Sequence, residues 1–140
     1  MELHRGRLID HVQLVVRDLN ASRRFCEAIF KALDMPISGS GDDHFWADEL
    51  FISSADSPAA QGKLTGRHHL AFQAKDGAAV DAFYKAGLAA GGKDNGAPGE
   101  RTRYHPGYYA AFLLDSDGNN IEAVYHGEGN RSAASVTIAF

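Results

Sequence analysis

The sequence predicts an α+β protein built from two tandem βαβββ modules. Three observations carry that prediction. The stretch from Asp10 to Ala28 (DHVQLVVRDLNASRRFCEA) aligns without gaps on His68 to Ala86 (HHLAFQAKDGAAVDAFYKA), setting His11 on His69, Asp18 on Asp76, Phe25 on Phe83 and Ala28 on Ala86. Each copy opens with a two-residue hydrophobic alternation and then switches to helical spacing. After each helical stretch come three short extended runs separated by turn residues.

The elements follow in order. In the first strand Val12, Leu14 and Val16 share one face, and His11, Gln13 and Val15 the other. Asp18 ends it and is placed to cap a helix over about Leu19 to Leu33, with Leu19, Phe25, Ile29 and Leu33 near helical spacing. Pro36 stops that helix. Extended runs are expected over Ile37 to Gly41, His44 to Ala47 and Leu50 to Ser54, so the first module spans about 8–54. Segment 55–67 (ADSPAAQGKLTGR), rich in Pro, Gly and small residues, reads as a linker.

The second module, about 68–126, repeats the plan. Leu70, Phe72 and Ala74 share a face opposite His69, Ala71 and Gln73, and Asp76 caps a helix over about Ala78 to Ala90 that Gly91-Gly92 closes. Extended runs are expected over Arg101 to His105, Tyr108 to Asp115 and Asn119 to His126, the last two joined as a hairpin through Asp115–Asn119. In the tail 127–140, Val136 to Phe140 forms either an extra strand or a docking segment. The 140 residues fit a single domain.

Composition narrows the class. The net charge is −4, without the clustered Lys/Arg that phosphate backbones require, so a nucleic-acid partner is not expected. The single cysteine, Cys26, excludes an internal disulfide framework and fits a reducing compartment; it reads as a buried, inert thiol. No apolar run approaches the roughly 18 residues of a membrane span. The N-terminus lacks the apolar stretch of a signal peptide. A soluble, cytoplasmic protein without a membrane partner is expected.

The two strand faces carry the chemistry. The apolar sets, including Ile121, Ala123 and Tyr125, should pack under the helices. The opposite faces carry His11 and Gln13, His69 and Gln73, and Asn120, Glu122 and His126. If the sheet curves with its helices outside, that second face becomes a cavity where His11, His69 and Glu122 converge. Two neutral imidazoles and one carboxylate suit a divalent metal and leave positions for water or substrate. Taken singly, each of the three also reads as an ordinary strand or surface residue.

The openings DHVQLVVRDLNASRRF and HHLAFQAKD, and above all DSDGNNIEAVYH, resemble the vicinal oxygen chelate superfamily. That superfamily includes glyoxalase I, extradiol dioxygenases, fosfomycin-resistance enzymes and bleomycin-binding proteins. The resemblance covers about residues 8–126. It implies paired modules forming a curved mixed β-sheet cup that holds a metal, generally within a homodimer. It implies His11, His69 and Glu122 as ligands to Zn, Ni, Mn or Fe, with Glu122 also catalytic and His68 a second choice to His69. Glyoxalase I enzymes use a fourth ligand late in the first module. Matching the module ends sets Ile52 there, which cannot bind metal, while Glu49 points to the other face.

The implied activity is lyase or isomerase chemistry like that of lactoylglutathione lyase, on a small molecule held through neighbouring oxygens. The alternatives are an Fe(II) extradiol-type dioxygenase and a non-catalytic drug-binding resistance protein. Trp46, Arg103, His105, Tyr109 and His126 are the substrate-binding candidates, with His126 also a possible base. His44, Tyr104 and Tyr108 share the same neighbourhoods; aromatics at strand spacing also read as core, and Arg101 and Arg103 also read as a solvated edge.

Overall fold

A computed structural model describes residues 2–5, 8–129 and 135–139. The strands are β1 (Glu2–Arg5), β2 (Val12–Val16), β3 (Gly39–Ser40), β4 (His44–Ala47), β5 (Leu50–Ser54), β6 (His69–Gln73), β7 (Lys93–Glu100), β8 (Tyr109–Leu114), β9 (Asn120–Tyr125) and β10 (Val136–Ala139). The α-helices are α1 (Leu19–Ala32) and α2 (Gly77–Ala89). Two four-stranded mixed sheets repeat one topology, β2-β5-β4-β3 and β6-β9-β8-β7, each opening with a parallel pair. Among the described residues no helix is long and apolar enough to cross a membrane.

The chain separates into two compact units that cut across chain order. One unit holds the first sheet. There the alternation places Leu14, Val16, Phe45, Ala47 and Ile52 in the buried set. The same unit contains an antiparallel ribbon of β1 and β10, in register from Glu2↔Ala139 to Arg5↔Val136. Val136 to Ala139 is therefore a strand; Phe140 lies outside the described residues.

The other unit contains Asn20–Pro36 together with Gly66–Gly129, so nearly all of α1 groups with the second sheet. Phe30 of α1 meets Phe72 of β6 edge-on at 5.1 Å. Phe25, Ile29, Val80, Phe83 and Leu113 are almost wholly buried in this unit. Gly87 permits the close approach of α2: a Cβ there would come within 2.2 Å of Leu113 Cδ1 and 3.1 Å of Ile29 Cγ2. Asp76 caps α2, its Oδ1 accepting from Ala79 N–H at 2.7 Å. At the other end Gly91 takes φ +101° and Gly92 N–H bonds back to Gly87 O, as a Schellman closure requires.

Two elements differ from expectation: β1 is unforeseen, and one expected run is displaced. Residues 101–105 are turns, and the edge strand of the second sheet is instead Lys93–Glu100. Its sequence, KDNGAPGE, has almost no β-formers. An edge position tolerates its proline, and two register shifts, between Asp94 and Gly96 and between Gly96 and Gly99, absorb its glycines.

Candidate functional site

Glu122 sits on β9, between β6 and β8, and is only 3% exposed. A buried carboxylate requires partners, and Glu122 has one on each oxygen. Oε2 accepts the Tyr108 hydroxyl, and Oε1 lies 2.9 Å from His69 Nε2. The register pairs His69 with Asn120 and Ala71 with Glu122, so His69 and Glu122 are diagonal neighbours on one face. Phe112 is directly opposite Glu122, and its ring stacks on His69 at 6.2 Å.

The protons on His69 can be assigned. Nδ1 is 2.9 Å from the Asn120 carbonyl, which can only accept, so Nδ1 carries hydrogen and donates. In the neutral ring that leaves a lone pair on Nε2, aimed at the Glu122 carboxylate. Two acceptors facing each other need a proton or a cation between them. A backbone carbonyl that fixes the tautomer of a histidine is the usual support of a metal-ligating imidazole. The 2.9 Å separation also suits adjacent ligands, since two bonds of about 2.1 Å at a right angle span about 3.0 Å. This donor pair therefore fits a divalent metal. Among the described residues, no group of three or more His, Cys, Asp or Glu side chains is arranged to hold one.

His11 lies in the other unit. Its Nδ1 is 2.6 Å from Asp10 Oδ1, which leaves Nε2 as its outward nitrogen, and its ring meets Phe51 edge-on at 6.1 Å. Trp46 is on the same sheet, stacked on Phe51 at 5.4 Å and on His44 at 5.7 Å. Gln13 and Ser53, also in that unit, are joined by a 2.9 Å hydrogen bond.

The register corrects one sequence equivalence. Gln13 pairs with Phe51, and its repeat partner Ala71 pairs with Glu122. The first-module counterpart of Glu122 is thus Phe51, not Ile52, which is buried on the opposite face. The inference that no acidic ligand occupies this position is unchanged.

The remaining candidates lie in the second unit and divide between two places. His105 Nδ1 donates to Pro106 O at 2.8 Å, and Nε2 is 2.8 Å from His126 Nδ1. The Tyr108 ring stands edge-on to both imidazoles, so His105 and His126 adjoin the tyrosine that holds Glu122. Burial first, and the Glu122 hydrogen bond second, push the Tyr108 hydroxyl up to about 12. Arg103 is turned to Tyr104, donating to its hydroxyl at 3.0 Å and covering its ring. Tyr109 points the other way, to α2, where its hydroxyl donates to Asp81 at 2.6 Å. That bond raises its pKa. His68 precedes β6; its Nδ1 is buried and unpartnered among the described residues, and burial lowers its pKa.

Tyr108 is the partner of Glu122 that sequence reasoning left undifferentiated among the aromatics. Parity could have found it: Tyr108, Ala110 and Phe112 alternate onto the Glu122 side, whereas Tyr109 does not.

The Glyoxalase/Bleomycin resistance protein/Dioxygenase superfamily model matches residues 8–123, and the chain belongs to this superfamily. A glyoxalase/bleomycin resistance protein from Albidiferax ferrireducens T118 is 27% identical, with a TM-score of 0.72 over 84% of this chain and 98% of that one. A lactoylglutathione lyase from Agrobacterium tumefaciens shares the fold at 18% identity and TM-score 0.60, covering 85% and 93% of the two chains. The fosfomycin resistance protein FosX from Mesorhizobium loti does so at 20% identity and TM-score 0.58, covering 85% and 92%. No curated protein matches the sequence.

Proposed function

We propose that this protein is a metal-dependent lyase or isomerase, working as a homodimer on a small molecule held through two neighbouring oxygens. The observation that carries this reading is the convergence of His69 Nε2 and Glu122 Oε1, with the histidine tautomer fixed from behind by Asn120 O. His11, whose Nδ1 is tied to Asp10, is the proposed third ligand. A divalent metal bound there would supply Lewis-acid stabilisation for negative charge developing on the substrate oxygens.

The chain's own groups have separate tasks. His69 keeps its Nδ1 proton on Asn120 O and offers Nε2. Glu122 is the proposed base, taking a proton from substrate carbon and returning it. Tyr108 holds Oε2, so Oε1 is the oxygen that would serve as ligand and, only when released from that role, as base.

Elemental analysis of untagged protein tests the metal. Near-stoichiometric Zn, Ni, Mn or Fe is expected in the parent, with loss in His69→Ala, Glu122→Gln and His11→Ala. A metal that binds only the native state also raises the melting temperature by mass action. Unchanged metal content in all three variants overturns the reading. Light scattering at twice the 15.1 kDa chain mass is expected for the dimer.

One observation favours a second reading. Phe51 at the counterpart of Glu122 leaves two histidines and one carboxylate, the ligand set of Fe(II) oxygenases. Oxygen uptake with catechols after anaerobic iron loading would select it over the lyase.

A further inference from the structure

We propose that Arg101 is the anchor for a carboxylate that the substrate carries apart from its reacting oxygens. The inference rests on the reading of His69 and Glu122 as the reacting centre and names the class of substrate it takes.

Four observations support it. The Arg101 guanidinium lies 5.5 Å above the Phe112 ring, and that ring stacks on His69 and faces Glu122 in the register. One aromatic ring thus lies between Arg101 and the reacting pair. The guanidinium is also held in place, Nη2 donating to Ala97 O at 2.7 Å. The backbone beneath it is cleared: a Cβ at Gly99 would come within 2.9 Å of Nη1, and one at Gly96 within 3.3 Å of Nη2. Gly96 adopts φ +153°, a conformation that side chains disfavour, and a Cβ there would first meet Phe112 Cδ2 at 2.9 Å, so this glycine makes room for the ring on which the guanidinium sits. Finally, among the described residues no carboxylate forms an ion pair with Arg101.

A guanidinium has five N–H donors in a planar fork that matches a carboxylate. The structure commits one of them to a carbonyl. A cation seated on an aromatic ring, pre-ordered and without an anionic partner, loses little freedom when it takes a carboxylate. Arg103 differs, since it sits on Tyr104 in an exposed turn.

The test compares probes that share a 2-oxo acid head and differ in a distal carboxylate. 2-Oxobutyrate, 2-oxoglutarate and 2-oxoadipate are titrated into the metal-supplemented full chain by calorimetry. The better dicarboxylate is expected to bind about tenfold more tightly than 2-oxobutyrate, as a charge-assisted fork would give. In Arg101→Met that ratio should fall to about one, with 2-oxobutyrate affinity unchanged. Arg101→Lys should keep part of the ratio.

A parent ratio of one, or a ratio that survives in Arg101→Met, overturns the proposal. So does an Arg101→Met protein that melts earlier and weakens every probe equally, since Arg101 would then only brace β7. Glu122→Gln separates this inference from the metal reading. Weak binding in Glu122→Gln that still prefers the dicarboxylate, and loses that preference in the double variant, upholds Arg101 alone. Loss of all binding in Glu122→Gln, with none in Arg101→Met, upholds the metal alone.

Discussion

The Tyr108 hydroxyl donates to Glu122 Oε2, while Oε1 of the same carboxylate faces His69. One side chain therefore decides which oxygen of a buried acid is available. Tyr108→Phe leaves Oε2 without its partner. A stability loss of about 1–3 kcal/mol is expected, the usual cost of stranding a buried polar group. Metal affinity should weaken about ten- to hundredfold, as for other groups that orient ligands. Urea unfolding and metal titration measure the two effects; if Tyr108 only fills space, neither changes.

Cys26 tests the unit in which α1 packs. Burial first, and then Asp115 and Glu27, push its thiol up to about 12. The folded chain should resist a disulfide reagent at pH 8 and react only on unfolding. The sign for stability follows. The unfolded thiol ionises near its ordinary value of 9.0, whereas the folded thiol holds its proton to about 12. The unfolded state thus binds fewer protons across that window, so stability falls as pH rises through it. Cys26→Ala should flatten that part of the stability curve.

Gly87→Ala sets two effects against each other. Alanine favours a helix by about 1 kcal/mol over glycine. Here its methyl would meet Leu113 and Ile29, both almost fully buried, and overpacking of that kind costs about 1–3 kcal/mol. A net loss of roughly 1 kcal/mol is expected from the difference. Chemical denaturation gives the sign; a stabilised Gly87→Ala would mean that α2 lies further from β8.

Asp76→Ala removes the cap on Ala79 N–H and should cost about 1 kcal/mol. Asp76→Ser and Asp76→Asn should recover most of it, because either side chain supplies an acceptor at the same place. Thermal melts of the three variants order them.

Much of this architecture is written in local patterns. β4 and β5 fall at their expected bounds because His44–Ala47 and Leu50–Ser54 combine alternation with flanking turns. The constant offset between His11 and His69 foretells two sheets of one topology. β7 was hidden because pairing with β8, not propensity, makes Lys93–Glu100 a strand. Side-chain parity caused the other differences. Exchanging Ile52 for Phe51, or Tyr109 for Tyr108, is a slip of one residue, and in a strand one residue reverses the face. The seat of Arg101 is the Phe112 ring of β8 and the Ala97 carbonyl of β7, the strand that leads into it, and no motif of side chains announces it.

The shared register of the two sheets makes the halves commensurable residue by residue. Phe51 occupies in one what Glu122 occupies in the other, and His11 flanks β2 as His69 opens β6. Phe51→Glu would therefore set a carboxylate in the first sheet at the register position that Glu122 holds in the second, through a single codon change.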